Sequence, residues 1–365
     1  MKMPSPLRPV VLGALSLLAA GLPAAIAAAP SALRAERVGD QPIIRQEMLA
    51  GEDGASINGP SLIKVPAWVK NPLGRYYLYF AHHAGKYIRF AYADRVEGPW
   101  QILDGGVLRL DAQTAIVGHI ASPDVVIDEA GHRIVLFYHG GNPQKKAPNP
   151  NDPDGEAGQI SAAAVSDDGI HFKPLNVVVG PAYLRIFPHD GAWFALNHSG
   201  MLRRAAALGE PFHDVAKIIG PDIIDAVDPA KLGEPGATPA ANRPPGGPFR
   251  YAMRHVGLDR HGDQLTVFFS CVGHRPERVL ATVITLEGPP ATWRAAGTFE
   301  VLRPATEAEG AKLPLAYSNG GISRTRVNEL RDPVGFRDGD ATWLLYSIAG
   351  EHGLGLARWH AVSAP

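Results

Sequence analysis

Tyr76–His83 reads YYLYFAHH, and runs of the same kind return four times: Arg133–Gly140 (RIVLFYHG), Ala192–Gly200 (AWFALNHSG), Gln264–Gly273 (QLTVFFSCVG) and Thr342–Gly350 (TWLLYSIAG). Each is rich in aromatic and β-branched residues and ends on small or polar ones, the composition of a buried strand. A turn signal precedes every copy: Leu73-Gly74, Ala130-Gly131, Asp190-Gly191, His261-Gly262 and Asp338-Gly339. Before each turn lies another apolar run (Pro60–Val65, Asp124–Ile127, Tyr183–Phe187, Ala252–Leu258 and Asp332–Phe336). That pairing is a hairpin made five times. A third run follows in each copy, at Ile88–Ala93, Ile160–Val165, Met201–Ala207, Val279–Leu286 and Gly353–Trp359.

Repetition of a whole antiparallel unit predicts blades around a central channel, an arrangement that protects sheet edges. The fold class is therefore all-β, a five-bladed β-propeller. The fifth unit reaches only its third strand before the chain ends, and Pro42–Leu49 (PIIRQEML) is the segment expected to supply its outer strand. Two Pro/Gly/Asn-rich stretches, Asn142–Gly158 and Gly233–Pro248, interrupt the pattern as long loops.

Composition narrows the function. Of 365 residues, 45% are hydrophobic and 19% charged, enough apolar material for a substantial core. The formal net charge is −1, and no basic block stands out, so a nucleic-acid partner lacks its electrostatic footprint. The single Cys, Cys271, excludes an intrachain disulfide and a Cys-based zinc site. Lys2 and Arg8, the apolar run Val10–Leu22 and the small residues Ala25-Ile26-Ala27 form the three-part layout of a signal peptide. The run is shorter than the roughly 20 residues of a bilayer span. The expectation is cleavage of residues 1–27 and an exported chain, secreted or periplasmic, with residues 28–365 as one propeller domain and no membrane span.

In a propeller the starts of the first strands and the ends of the second strands meet over the channel. The first set holds Asn58, His119, Asp124, Arg254, His255, Glu329, Arg331 and Asp332; the second holds His83, His139, Asn197-His198, the loop Gly273–Arg278 with Glu277, and Glu351-His352. Carboxylates, imidazoles and guanidiniums are thus expected at one axial face. Cleaving a glycosidic bond needs an acid and a base flanking it.

Several phrases point the same way: Ala121-Ser122-Pro123-Asp124, Arg331-Asp332-Pro333-Val334-Gly335-Phe336, the strand Tyr76-Tyr77-Leu78-Tyr79-Phe80 and the exit Glu97-Gly98-Pro99-Trp100. Together they resemble the five-bladed-propeller glycoside hydrolases of the arabinanase, xylosidase and levansucrase group. The resemblance implies hydrolysis by acidic residues around a central pocket. It departs from the pattern in the first blade, where Asn58-Gly59-Pro60 stands in place of the usual Asp before Pro; Asn cannot serve as a general base.

The expected catalytic residues are Asp124 and Asp332 as base and pKa-tuning group, with Glu277 or His255 as acid. Asn58, His83, His119, His139, Arg254 and Arg331 are the expected binding residues for an oligo- or polysaccharide. No cofactor or catalytic metal is called for. Asp152, Asp154 and Glu156 could hold a structural Ca²⁺, but their spacing is not that of an EF-hand and favours solvated loop charge. Two other readings stay open: a non-catalytic carbohydrate-binding propeller, and a polysaccharide lyase that uses His and Arg.

Overall fold

A computed structural model describes Met1 and residues 32–144, 158–225 and 252–362. The signal-peptide segment, most of both long loops and the three acidic residues Asp152, Asp154 and Glu156 lie outside the described residues.

Five antiparallel sheets form the molecule. Blade one runs Asn58–Lys64, Tyr76–Ala81, Tyr87–Ala93 and Gln101–Ile102; blade two Val117–Asp128, Arg133–Gly141, Gln159–Ser166 and Lys173–Pro181. Blade three runs Arg185–His189, Ala192–Leu196, Met201–Ala205 and His213–Lys217; blade four Ala252–His261, Gln264–Val272, Val279–Thr285 and Ala295–Leu302. Blade five is Leu330–Asp338, Ala341–Ile348 and Gly353–Val362, completed by Ala32–Arg37.

The second strands show why the sheets stand as blades. Strand side chains alternate between faces, and here both faces are apolar. Tyr77 and Tyr79 pack with Ile134, Leu136 and Tyr138 of blade two, whereas Tyr76, Leu78 and Phe80 pack with Val334, Leu345 and Leu356 of blade five. Three further clusters fill the interfaces of blades two and three, three and four, and four and five. Five apolar interfaces between five sheets close a ring. The first strand of each blade also lies against the first strands of its two neighbours, which lines the axis with those strands.

Ring closure differs from the expectation. The outer strand of blade five is Ala32–Arg37, paired from Ala32↔Val362 to Arg37↔Ala357. Of the expected segment only Ile44 and Arg45 pair with the same strand, before a 3-10 turn at Gln46–Met48. ALRAER has little intrinsic strand preference; its place is set by pairing with an unpaired edge, by burial of Leu33 in the cluster with Trp359, and by Arg37, which donates to both oxygens of buried Glu309 (2.8 and 2.9 Å).

Four first strands carry a two-against-one bulge at a matching place. Gly59-Pro60 stands opposite Phe80, Ser122-Pro123 opposite Tyr138, Arg254-His255 opposite Ser270, and Asp332-Pro333 opposite Tyr346. A bulge bends the strand and re-aims the residue at its first position. That residue has positive φ in three blades: Gly59 at 57°, Ser122 at 44° and Asp332 at 47°. No helix among the described residues is long and apolar enough to cross a membrane.

Candidate active site

The bulges aim Arg254, His255 and Asp332 at one place. His255 Nδ1 makes a short contact with Asp332 Oδ1, and Ser347 Oγ donates to Asp332 Oδ2 at 3.3 Å. Burial alone would raise the Asp332 carboxyl, but His255, Arg254 and Arg331 outweigh it and hold it below the usual carboxylate range. Burial lowers the imidazole of His255 below its ordinary value, against the pull of Asp332. The contact sets an imidazole whose burial disfavours its charge beside a carboxylate that Arg254 and Arg331 keep ionised; a neutral ring with Nδ1–H turned to Asp332 would carry its lone pair on Nε2.

An ionic layer adjoins this dyad. Arg254 donates from Nε and Nη2 to the two oxygens of Glu277 (2.7 and 2.8 Å), and Ser270 Oγ donates to Oε1 at 2.6 Å. Burial raises Glu277, and the Arg254 guanidinium reverses that and leaves it below the ordinary value. Arg331 donates to Glu329 Oε2 from Nε (2.7 Å) and contacts it through Nη2 (2.5 Å), and donates from Nη1 to Glu351 Oε1 (2.9 Å). Glu351 also takes Ser56 and Asn58 on Oε2 (3.0 and 3.1 Å) and meets His83 Nδ1 on Oε1 (3.2 Å). Asn58 Oδ1 is buried and accepts no hydrogen bond among the described residues.

A band of rings completes the site. Tyr183 has its centroid 4.3 Å from His139, 4.4 Å from His255 and 5.2 Å from His198, and His119 lies 5.4 Å from His139. Burial, reinforced by the other imidazoles and Arg185, pushes His139 well below its ordinary value. Tyr183 is raised to about 12, chiefly by burial, and has φ of +66°, strained for a non-glycine residue.

Nine of the ten expected residues therefore fall in one connected network: Asn58, His83, His119, His139, Arg254, His255, Glu277, Arg331 and Asp332. Asp124 is placed differently. Its Oδ1 accepts from Arg185 Nη1 (3.2 Å) and its Oδ2 from the Ile186 backbone N–H (2.8 Å), so it joins blade two to blade three. Burial raises it despite Arg185. Glu351 and Tyr183 had no role assigned from sequence, although both lie in the stretches expected at the axis. Among the described residues no group of three or more His, Cys, Asp or Glu is arranged to hold a metal ion.

No protein-family model matches the chain. It is 32% identical over 325 residues, 84% of either chain, to the uncharacterized protein R118 of Acanthamoeba polyphaga mimivirus. The chain belongs to the family of that viral protein. Solved structures place this mimivirus-type family by fold. A candidate glycoside hydrolase from Parabacteroides distasonis superposes with a TM-score of 0.56 at 11% identity, over 89% of this chain and 95% of that one. The GH43_1 enzyme of Xanthomonas citri complexed with xylose superposes with a TM-score of 0.50 at 10% identity, over 89% of each chain. Its complex with xylotriose gives 0.50 at 11%, over 84% of this chain and 87% of that one. The five-bladed architecture implied by the sequence resemblance is the architecture observed, in a divergent family.

Proposed function

We propose that the chain cleaves a glycosidic bond in the axial well, with His255 as the general base and Asp332 as the residue that orients it. The observation that carries this reading is the buried His255–Asp332 contact at the first-strand bulges. An ionised carboxylate on Nδ1 fixes the tautomer and turns Nε2 into a proton acceptor, the arrangement by which a neutral imidazole activates a hydroxyl or a water. Asn58 in blade one leaves that blade without a carboxylate at its strand start, so the imidazole takes the role that Asn cannot fill. The fold shared with saccharide-bound enzymes supports a carbohydrate as the substrate.

The lyase reading needs a guanidinium free to neutralise a uronate. Arg254 and Arg331 are both occupied by Glu277, Glu329 and Glu351, which counts against it. A screen of the full chain on aryl glycosides and polysaccharides tests the proposal. The expected result is turnover by wild type and a loss of about 10²–10⁴-fold in His255→Gln, with the thermal unfolding transition retained. Saccharide binding without turnover would favour a carbohydrate-binding propeller; an ultraviolet-absorbing unsaturated product would favour elimination.

A further inference from the structure

Four carboxyl groups gather in the dyad and the ionic layer beside it, and their oxygens are not used alike. Glu277 has Arg254 and Ser270 on Oε1 and Arg254 on Oε2. Asp332 has His255 on Oδ1 and Ser347 on Oδ2. Glu351 takes donors on both oxygens from blades one and five. Glu329 is the exception: Arg331 engages Oε2 through two nitrogens, and Oε1 accepts no donor among the described residues. A carboxyl held by one oxygen is fixed in orientation and still has an oxygen on which to carry a proton. Its backbone is fixed as well, because Glu329 immediately precedes the first strand of blade five and its carbonyl accepts from Gly350.

We propose that Glu329 is the general acid that protonates the departing glycosidic oxygen, with His255 as the base. This rests on the glycosidase reading above. The groups that face Glu329 are Glu277, Arg331 and Arg254. Burial raises its carboxyl, and the Glu277 charge alongside raises it further, against the two guanidiniums. Of two neighbouring carboxyls, the one clamped at both oxygens by Arg254 ionises more readily, and the other is the better placed to carry a proton.

The step balances as a single displacement. The Glu329 proton passes to the leaving oxygen as the bond from that oxygen to the anomeric carbon breaks. Water forms the new bond to the anomeric carbon and gives a proton to His255 Nε2. Solvent returns both residues to their starting states. Burial moves His255 down and Glu329 up, which brings the two titrations toward each other, as a neutral imidazole working with a protonated carboxyl requires.

The test compares wild type, Glu329→Gln, Glu329→Asp and His255→Gln on two glycosides of the one sugar selected by the screen, with dinitrophenyl and methyl leaving groups. A dinitrophenolate departs without a proton; a methoxide does not. In Glu329→Gln, kcat/KM for the methyl glycoside is expected to fall about 10²–10⁴-fold while the dinitrophenyl glycoside stays within about tenfold, and the alkaline limb of the pH profile disappears. Glu329→Asp keeps that limb. His255→Gln lowers both substrates alike. An equal loss on both substrates in Glu329→Gln, or no loss on either, overturns the role of Glu329 and leaves the His255 reading standing. A wild type inert on both glycosides removes the two together.

Discussion

Blades two and five carry an aspartate beside a proline at the same bulge, and the two aspartates do different work. In blade five the order is Asp332-Pro333, so the carboxylate occupies the first bulge position, at φ of +47°, and reaches His255. In blade two the order is Ser122-Pro123-Asp124; serine takes the bulge and the carboxylate falls two positions later, in register with Ser61 of blade one and Val334 of blade five. There it accepts from Arg185 and Ile186 of blade three. Ser61 does the same for its own neighbour, accepting from the Val125 backbone N–H of blade two at 2.9 Å. A displacement of two residues along one strand separates a group aimed into the well from a clamp between blades.

The largest effects should fall on opposite sides of this comparison. Asp332→Asn leaves His255 without its anionic partner, and turnover is expected to drop about 10²–10⁴-fold in protein that still unfolds cooperatively. Asp124→Ala strands the Ile186 N–H and removes one partner of buried Arg185, at an expected cost of about 2–5 kcal/mol of stability. Its turnover per folded molecule should stay within a few-fold of wild type. Denaturant titration alongside initial rates checks both. A Asp124→Ala protein that is well folded yet inactive would erase the distinction between the blades.

Acidification sharpens the same contrast. The folded-state value of Asp332 lies below its ordinary 3.8, so its stabilising contribution is complete above that value and is lost as pH falls through the folded value. Asp124 is raised, so its contribution is complete below 3.8 and is lost as pH rises through its raised value. His139 and His255 share the sign of Asp332, with losses that begin as pH falls below about 6.5. Wild-type stability should therefore decline from mildly acidic pH downward. Asp332→Asn should flatten the lower part of that decline and Asp124→Asn should steepen it, as read from thermal unfolding across the acid range. Slopes altered in the same direction by both variants would contradict the opposite placements.

The ring was legible because its signal is repeated. Five runs such as Tyr76–His83 put apolar residues on both faces, and a strand buried on both sides has few other places to go. The convergence of distant residues was legible for the same reason, since topology alone brings Asn58, His139, His255 and Asp332 to the axis. Register within a strand was not. Ser-Pro-Asp and Arg-Asp-Pro look alike as text, and only the two-against-one pairing shows which residue sits on the bulge. The closing strand was hidden because Ala32–Arg37 owes its conformation to a vacant edge and an ion pair with Glu309, 272 residues away, rather than to local preference. Tyr183 was hidden by a φ that no pattern of residue types announces in a tyrosine. Glu351 stood among the residues expected at the axis, but the five donors around it come from blade one, blade five and the segments before them, and no local pattern in the sequence announces them.

The smallest effect isolates what charge adds to the clamp. Ser61 and Asp124 hold the same kind of backbone N–H across successive blade interfaces, one with a neutral hydroxyl and the other with a carboxylate that also faces Arg185. Ser61→Ala leaves the Val125 N–H buried without an acceptor, and an unmade hydrogen bond of this kind costs about 1–3 kcal/mol. No charge is stranded, so its destabilisation should lie below that of Asp124→Ala, with turnover unaffected. Ser61 and Val125 are both buried, so water cannot readily replace the lost oxygen. Ser61→Thr keeps the hydroxyl and should recover most of the loss if the added methyl is accommodated. A Ser61→Ala protein as unstable as Asp124→Ala would mean that the backbone hydrogen bond carries the whole clamp and that Arg185 contributes nothing through Asp124.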